Sequence, residues 1–554
     1  MRAVDLVFHH LWGIFDKVSQ SPTDWPFIFF LPVIVGISIA SHEKLRARLT
    51  PFAKPIVLAG SVLTLLAVFR IVITYLSMNF ISDAGSTLFA TISWLFCLGQ
   101  PVYSSIHMQA PYSLPYGPYS YMLVGCFQQA LGPSVFSSKL APFLATFGSW
   151  IFLYLALRRR VAWLSALALT ALAAALLLPF DPMQFWPRPD PFLLFSVSGG
   201  LWAATRRGVW GPILLGFFIG FAINLKFYAF IIFFLAIAVG WRTNKSLGLW
   251  MLAGLVTVVT ALLPFAWPNI SMRDYLLVLK MHSDSARFMD VFAAQCFEWG
   301  VVFFMIGFSP LFVNKGEAGE TISLLRKNFD LWGSLLLSFF LVSFPASNEG
   351  ASPHHLMPFI PLVIYLAAHL NADISSRPFL RRTHRWAGLS LALSIVLVAG
   401  LDAFFLSIKV PVAFGPKEAL AKEQIADIEQ IFQEKMPCVL LNATGSLATH
   451  QENFYRTILV FNGMPIGIDP AGEMDYKSLG GYEPNLPAVV AELKLKYNQP
   501  IVWICPKDTV PFSLTSYYGS CDKVFSDKFV NDFHRLFQLS GQSSCFDIYE
   551  EKSN

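Results

Sequence analysis

Charged residues are scarce in this sequence: Asp, Glu, Lys and Arg make up 14% of its 554 residues, against 55% hydrophobic and 15% aromatic. Soluble domains carry roughly a quarter of their residues as charges, so this balance excludes an ordinary soluble protein and a disordered chain alike. Cysteine is sparse as well, at seven in the whole chain, which excludes a fold held by a dense disulfide framework. There is no Gly-x4-Gly-Lys phosphate loop, no Gly-x-Gly-x-x-Gly turn after a strand and no basic-aromatic surface pattern, so neither a nucleotide motor nor a nucleic-acid partner is expected. Self-similar halves, which many carriers show, are also missing. The most local deficit lies between residues 79 and 136, where there is no Lys or Arg, one His (His107) and one carboxylate, Asp83. Connections between membrane helices are ordinarily short and charged. A long, uncharged, aromatic-rich one is expected to lie along the membrane surface and against the rest of the protein.

What the chain does have is apolar length. A bilayer core about 30 Å thick needs roughly 20 apolar residues per helix, and about twelve such segments fall between residues 26 and 410. They predict a polytopic all-α membrane domain over residues 1–410, including the outer loop 79–136. One alternating set of loops holds eighteen Lys and Arg, whereas the opposite set shows only Arg188, Lys226, Arg273, Lys280 and Arg287. The side with the excess faces the cytoplasm. This places the Asp83 loop, the Arg188 turn and the C-terminus outside it, as in a multi-pass protein of a bacterial inner membrane.

After residue 410 strands alternate with helices: PKEALAKEQIADIEQIFQEK and NLPAVVAELKLKYNQ read as helices, PCVLLNAT and PIVWICPK as buried strands. Residues 411–554 are therefore expected to form a small extracytoplasmic α/β domain. Four of the cysteines, Cys438, Cys505, Cys521 and Cys545, fall here, and at least one disulfide among them is expected in that compartment.

The candidate chemistry follows from the few ionisable residues on the outer side. Asp83 has two readings that do not exclude each other: a general base for an attacking hydroxyl, or the N-cap of a helix starting near Gly85. Arg188 and Lys226 are candidates to hold the negative charge of a phosphate leaving group, although interfacial snorkelling explains such residues too. Asp190 would orient Arg188 or cap the following helix. His354 and His355, at a helix entrance, would donate to a phosphate or a sugar hydroxyl. Tyr103, Tyr116 and Tyr119 would wall a cavity or anchor at the interface.

The order of these features resembles the GT-C glycosyltransferases, in particular the bacterial relatives of protein O-mannosyltransferases and of the lipid A aminoarabinose transferase. The resemblance rests on Asp83 after an early helix, Gly99-Gln-Pro-Val-Tyr103, Pro115-Tyr-Gly-Pro-Tyr-Ser-Tyr121, Trp186-Pro-Arg-Pro-Asp190, Asn224-Leu-Lys226 and Pro353-His-His355-Leu-Met-Pro-Phe. It implies an inverting transfer of a sugar from a polyprenyl-phosphate-linked monosaccharide to an envelope acceptor, whether lipopolysaccharide or lipid A, another glycan or a protein. It also implies contact with membrane lipids, and it puts His355 ahead of His354. Many relatives carry a second acid beside the first, but here Ala84 follows Asp83. No cofactor is therefore indicated, and a divalent metal is allowed rather than implied. A polytopic transporter or lipid flippase without transferase activity is the rival reading.

Overall fold

The computed structural model describes residues 52–81, 84–104, 112–178, 180, 185–283, 289–312, 318–347, 353–376, 381–445, 454–470, 472–474, 483–515 and 523–552. Asp83, Arg287 and Cys521 lie outside the described residues.

Helices α1 (Ala53–Ser77), α2 (Ala84–Cys97), α3 (Pro118–Leu131), α4 (Val135–Leu157) and α5 (Trp163–Leu176) come first. Then follow α6 (Pro189–Ala204), α7 (Trp210–Leu225), a 3-10 segment over Phe227–Phe233, α8 (Phe234–Thr243) and α9 (Leu247–Leu262). The next elements are α10 (Met272–Ser283), α11 (Met289–Phe312), α12 (Ala318–Lys327), α13 (Phe329–Ala346), a 3-10 turn at Pro353–Leu356, α14 (Phe359–Ser375) and α15 (Arg381–Lys435). Among the described residues, five helices are long and apolar enough to cross a membrane: Lys54–Ser77, Val135–Leu157, Leu247–Ala266, Met289–Leu311 and Phe329–Ala346. Five shorter apolar helices accompany them, so these lengths do not by themselves yield the twelve spans counted from hydropathy. On α9, Leu247, Met251, Leu255 and Val258 are 55–70% exposed along one face. Such an apolar stripe suits lipid rather than water.

The segment read as a loop, 79–136, contains two helices, α2 and α3. Its lack of charge reflects burial: Leu88, Phe89, Ile92, Tyr121 and Val124 are all inaccessible. Local chemistry sets the boundaries. Ser134 and Ser137 form a reciprocal capping box at the start of α4, and Pro118 occupies the first turn of α3. Gly117 has no substitute there, because a Cβ would fall 1.0 Å from the Asn224 carbonyl oxygen. The most extensive packing joins α4 to α6, α7 to α9 and α15 to α1.

α15 passes without a break from the last apolar segment through residue 410 into the amphipathic 416–435 stretch. The sheet beyond it has the order β1-β2-β4-β3, with β1 at Val439–Asn442, β2 at Ile501–Pro506, β3 at Phe537–Gln542 and β4 at Phe546–Glu551. β1 and β2 are parallel, joined through α17 (Leu486–Tyr497), while β4 is antiparallel to β2 and β3. α16 (Tyr455–Phe461) and α18 (Asp527–Leu536) complete the domain. α16 docks on the membrane domain: Thr457 Oγ1 is 3.0 Å from Thr91 Oγ1 and donates to the Thr87 carbonyl at 3.1 Å, and Ile458 and Val460 join the membrane domain's core. Asn79 adds two bonds to the Glu418 carboxylate at 2.7 and 2.9 Å.

The expected disulfide is not formed: Cys438, Cys505 and Cys545 are free thiols. Sheet geometry gives the reason. Val439 pairs with Ile501 and Asn442 with Ile504, which sets Cys438 and Cys505 at opposite ends of the β1/β2 ladder. That is roughly 16 Å at strand rise, far beyond the ~4–7 Å between Cα atoms that a disulfide spans. Cys545 sits at the same end as Cys505, but Cys505 packs with Trp503 on one face of the sheet and Cys545 with Ile504 and Phe546 on the other.

Candidate active site

Three backbone features bring five charged or titratable residues to one point. Before α6, Arg188 takes the N-cap position with an extended backbone (φ −149°, ψ 163°), and Pro189 begins the helix. Asp190 therefore falls in the first turn, where the helix dipole favours a carboxylate, and it is completely buried. Lys226 leaves the end of α7, also extended, and its Nζ donates to Asp190 Oδ1 at 2.8 Å with 3% of the side chain exposed. From the 3-10 turn, His354 brings Nε2 to 4.0 Å from Asp190 Oδ2. His355 lies beside His354 with ring centroids 4.5 Å apart and the rings tilted by 38°, and its Nδ1 is hydrogen-bonded to the Tyr228 hydroxyl. The Lys226 ammonium also lies 5.7 Å from the centre of the Tyr116 ring, in cation–π range.

Burial, followed by the positive charge of Lys226, pushes both His354 and His355 well below the ordinary histidine range. Both imidazoles are thus neutral at neutral pH, each with one donor and one acceptor. With Arg188 and Lys226 positive and Asp190 negative, the cluster carries a net charge of +1, next to a helix N-terminus that adds partial positive charge.

The other sequence candidates stand around this point. Asp83 is outside the described residues, but the chain leading towards it is fastened from α4. Lys139, 1% exposed on α4, donates to the carbonyls of Tyr75, Met78 and Phe80 at 2.9, 2.8 and 2.8 Å. Tyr75 packs on Phe185 and Trp186, with centroids 6.2 and 6.4 Å away. The segment entering Asp83 therefore abuts the turn that carries Arg188. Tyr103 and Tyr119 have their hydroxyls committed to backbone: Tyr103 donates to the Tyr116 carbonyl at 2.6 Å and Tyr119 to the Thr260 carbonyl at 2.9 Å. Asn224 ties the same segment to α7 and α9 by accepting from the Tyr119 N–H at 3.0 Å and donating to the Ala261 carbonyl at 2.9 Å. Arg273 and Lys280 are on α10. Sequence reasoning overlooked Lys139 and Tyr228. A lysine inside a predicted span was the available signal for the first, since such a charge needs partners. Nothing local distinguished Tyr228 from the other aromatics.

Among the described residues no group of three or more His, Cys, Asp or Glu is arranged to hold a metal ion.

No protein-family model matches the sequence, and no curated protein matches it. The fold does have solved counterparts. The structure of ArnT from Cupriavidus metallidurans bound to undecaprenyl phosphate is similar with a TM-score of 0.52 at 14% identity, covering 88% of this chain and 97% of that one. The same protein in the apo state matches at 0.50 over the same shares, again at 14% identity. These likenesses agree on one conclusion: over most of its length this chain carries the same fold as those structures.

Proposed function

We propose that this protein is an integral-membrane glycosyltransferase that moves a sugar from a polyprenyl-phosphate-linked monosaccharide to an envelope acceptor, at the outer face of the inner membrane and with inversion. The observation that carries the reading is the buried Lys226–Asp190 pair beside Arg188 and the two neutral imidazoles. In the reaction an acceptor hydroxyl attacks the anomeric carbon, Asp83 takes its proton, and the bond from that carbon to the phosphate oxygen breaks. A phosphodiester with one negative charge becomes a phosphomonoester that gains a second. The cluster's single net positive charge is matched to that one-unit increase and lies in a buried setting where fixed charges act strongly. His354 and His355, held neutral, donate hydrogen bonds without adding charge. The fold likeness to a structure holding undecaprenyl phosphate supports a lipid-phosphate donor. The docking of α16 on α2 supports a part for the C-terminal domain in acceptor binding.

The test is release of polyprenyl phosphate from a panel of polyprenyl-phosphate monosaccharides by the purified protein in lipid, with lipopolysaccharide, glycan and protein acceptors supplied. Arg188→Gln should lower kcat/KM by about two orders of magnitude. Wild-type protein that transfers from none of the donors, or an Arg188→Gln variant as active as wild type, overturns the proposal.

A further inference from the structure

A second charged site lies at the other end of α6. This helix has 16 residues, which places its C-terminal end roughly 24 Å from Asp190. There the turn after α4, the turn after α6 and the last residues of α8 enclose a cavity of about 620 Å³ lined by Arg159, Arg160, Arg206, Arg207 and Arg242. Among the described residues its lining includes no carboxylate.

A cytoplasmic excess of basic residues explains the sign of this charge but not its arrangement. Charges that only obey a topology bias have no need of a concavity, nor of being held in place. Here three of the guanidinium groups are held. Arg160 Nε donates to the Tyr365 hydroxyl at 3.2 Å, and the Arg206 guanidinium lies 4.9 Å from the centre of the Trp202 ring. Arg242 is ion-paired to Asp330 and donates to Asn328 Oδ1 at 2.9 Å and the Lys327 carbonyl at 2.7 Å. Arg159, Arg160 and Arg207 are exposed, and of these only Arg160 has one of the contacts just described. Asp330 offsets only one of five positive charges, so the cavity keeps a large positive excess. Every basic residue in it is an arginine, whose planar fork binds phosphate oxygens in pairs, whereas lysine offers only a point charge.

We propose that this cavity is a binding site for a phosphate group, distinct from the Asp190–Lys226 centre and separated from it by the length of α6. Two sources share that chemistry: the headgroup of an anionic phospholipid, reaching in from the bilayer, and a soluble phosphate compound. The held guanidinium groups of Arg160, Arg206 and Arg242 fix the position of the phosphorus, and Arg159 and Arg207 close over the remaining oxygens. Neither the transfer reaction nor its donor is involved, so the site stands or falls independently of the proposed activity.

The experiment uses the full chain purified in neutral detergent. Binding of inorganic pyrophosphate is measured by calorimetry, and retention of phosphatidylglycerol against phosphatidylcholine by native mass spectrometry. Both are compared between wild type and Arg159→Gln/Arg207→Gln, two exposed positions that leave the held arginines in place. Wild type should bind, and the double variant should bind about tenfold more weakly or worse. A loss confined to pyrophosphate identifies a soluble phosphate ligand, a loss confined to phosphatidylglycerol a lipid headgroup, and a loss of both an overlapping site; each supports the proposal. Arg159→Lys/Arg207→Lys should fall between the two, and either single Gln variant replaces the double should the latter fail to fold. Wild type binding neither ligand, or Gln variants binding both as tightly as wild type, overturns it.

Discussion

Lys226 and Asp190 make a single buried ion pair that ties the end of α7 to the start of α6, with Nζ 2.8 Å from Oδ1 and 3% and 0% of the two side chains exposed. Residues 36 positions apart in sequence are thereby held at one point, and any change to one charge leaves the other buried.

Removing one partner should therefore cost more than removing both. Lys226→Met strands the Asp190 carboxylate and is expected to destabilise the protein by roughly 3–5 kcal/mol, whereas Lys226→Met/Asp190→Asn should recover much of that loss. Thermal unfolding in detergent reads both values. A single variant as stable as wild type would show that the pair is solvated in solution. Transfer activity should remain low in both variants, because neither restores the cation.

Asp83→Asn keeps the shape and the capping capacity of the side chain while removing its basicity. Folding should be normal and turnover should fall by about two orders of magnitude or more. Retained activity in a well-folded Asp83→Asn protein would eliminate Asp83 as the base.

Lys139→Met leaves the carbonyls of Tyr75, Met78 and Phe80 without their shared donor. The expected cost is roughly 2–4 kcal/mol, from buried acceptors left unpaired. Since these carbonyls belong to the segment entering Asp83, kcat should drop more than KM rises, which a purely global loss of stability would not produce. Unchanged kcat in the folded fraction would show that Lys139 supports the fold without positioning the base.

Glu473, in the C-terminal domain, is 2% exposed, and burial, together with the negative charges of Asp469 and Glu483, pushes its carboxyl from 4.5 up to about 9. The folded state thus holds a proton that the unfolded chain releases above about pH 4.5. The resulting penalty is absent below that pH, grows as pH rises and levels off near 9, reaching roughly 3 kcal/mol at neutral pH. Glu473→Gln should accordingly raise the unfolding temperature at pH 8 and leave it nearly unchanged at pH 4. Equal shifts at both values would mean that Glu473 is ionised in the folded protein.

The membrane class and the identity of the residues that the structure brings together around Asp190 were legible in the sequence, because each depends on composition or on a short motif. An apolar run reports its own transfer free energy, and Trp186-Pro-Arg-Pro-Asp190 contains its own helix start, so neither needs knowledge of distant residues. The parallel β1–α17–β2 unit was legible for the same reason, since buried strands and an intervening helix each have a local pattern. Tertiary structure alone decided how these parts meet. That Lys226 would neutralise Asp190, that His354 and His355 would approach from a turn more than a hundred residues away, and that Lys139 would fasten the chain before Asp83 all depend on helix packing, which short-range periodicity does not encode. The disulfide expectation failed on the same ground: cysteine count and compartment are local facts, whereas pairing requires two Cα atoms within a few ångströms, and strand register places Cys438 and Cys505 at opposite ends of a ladder and Cys545 on the opposite face from Cys505.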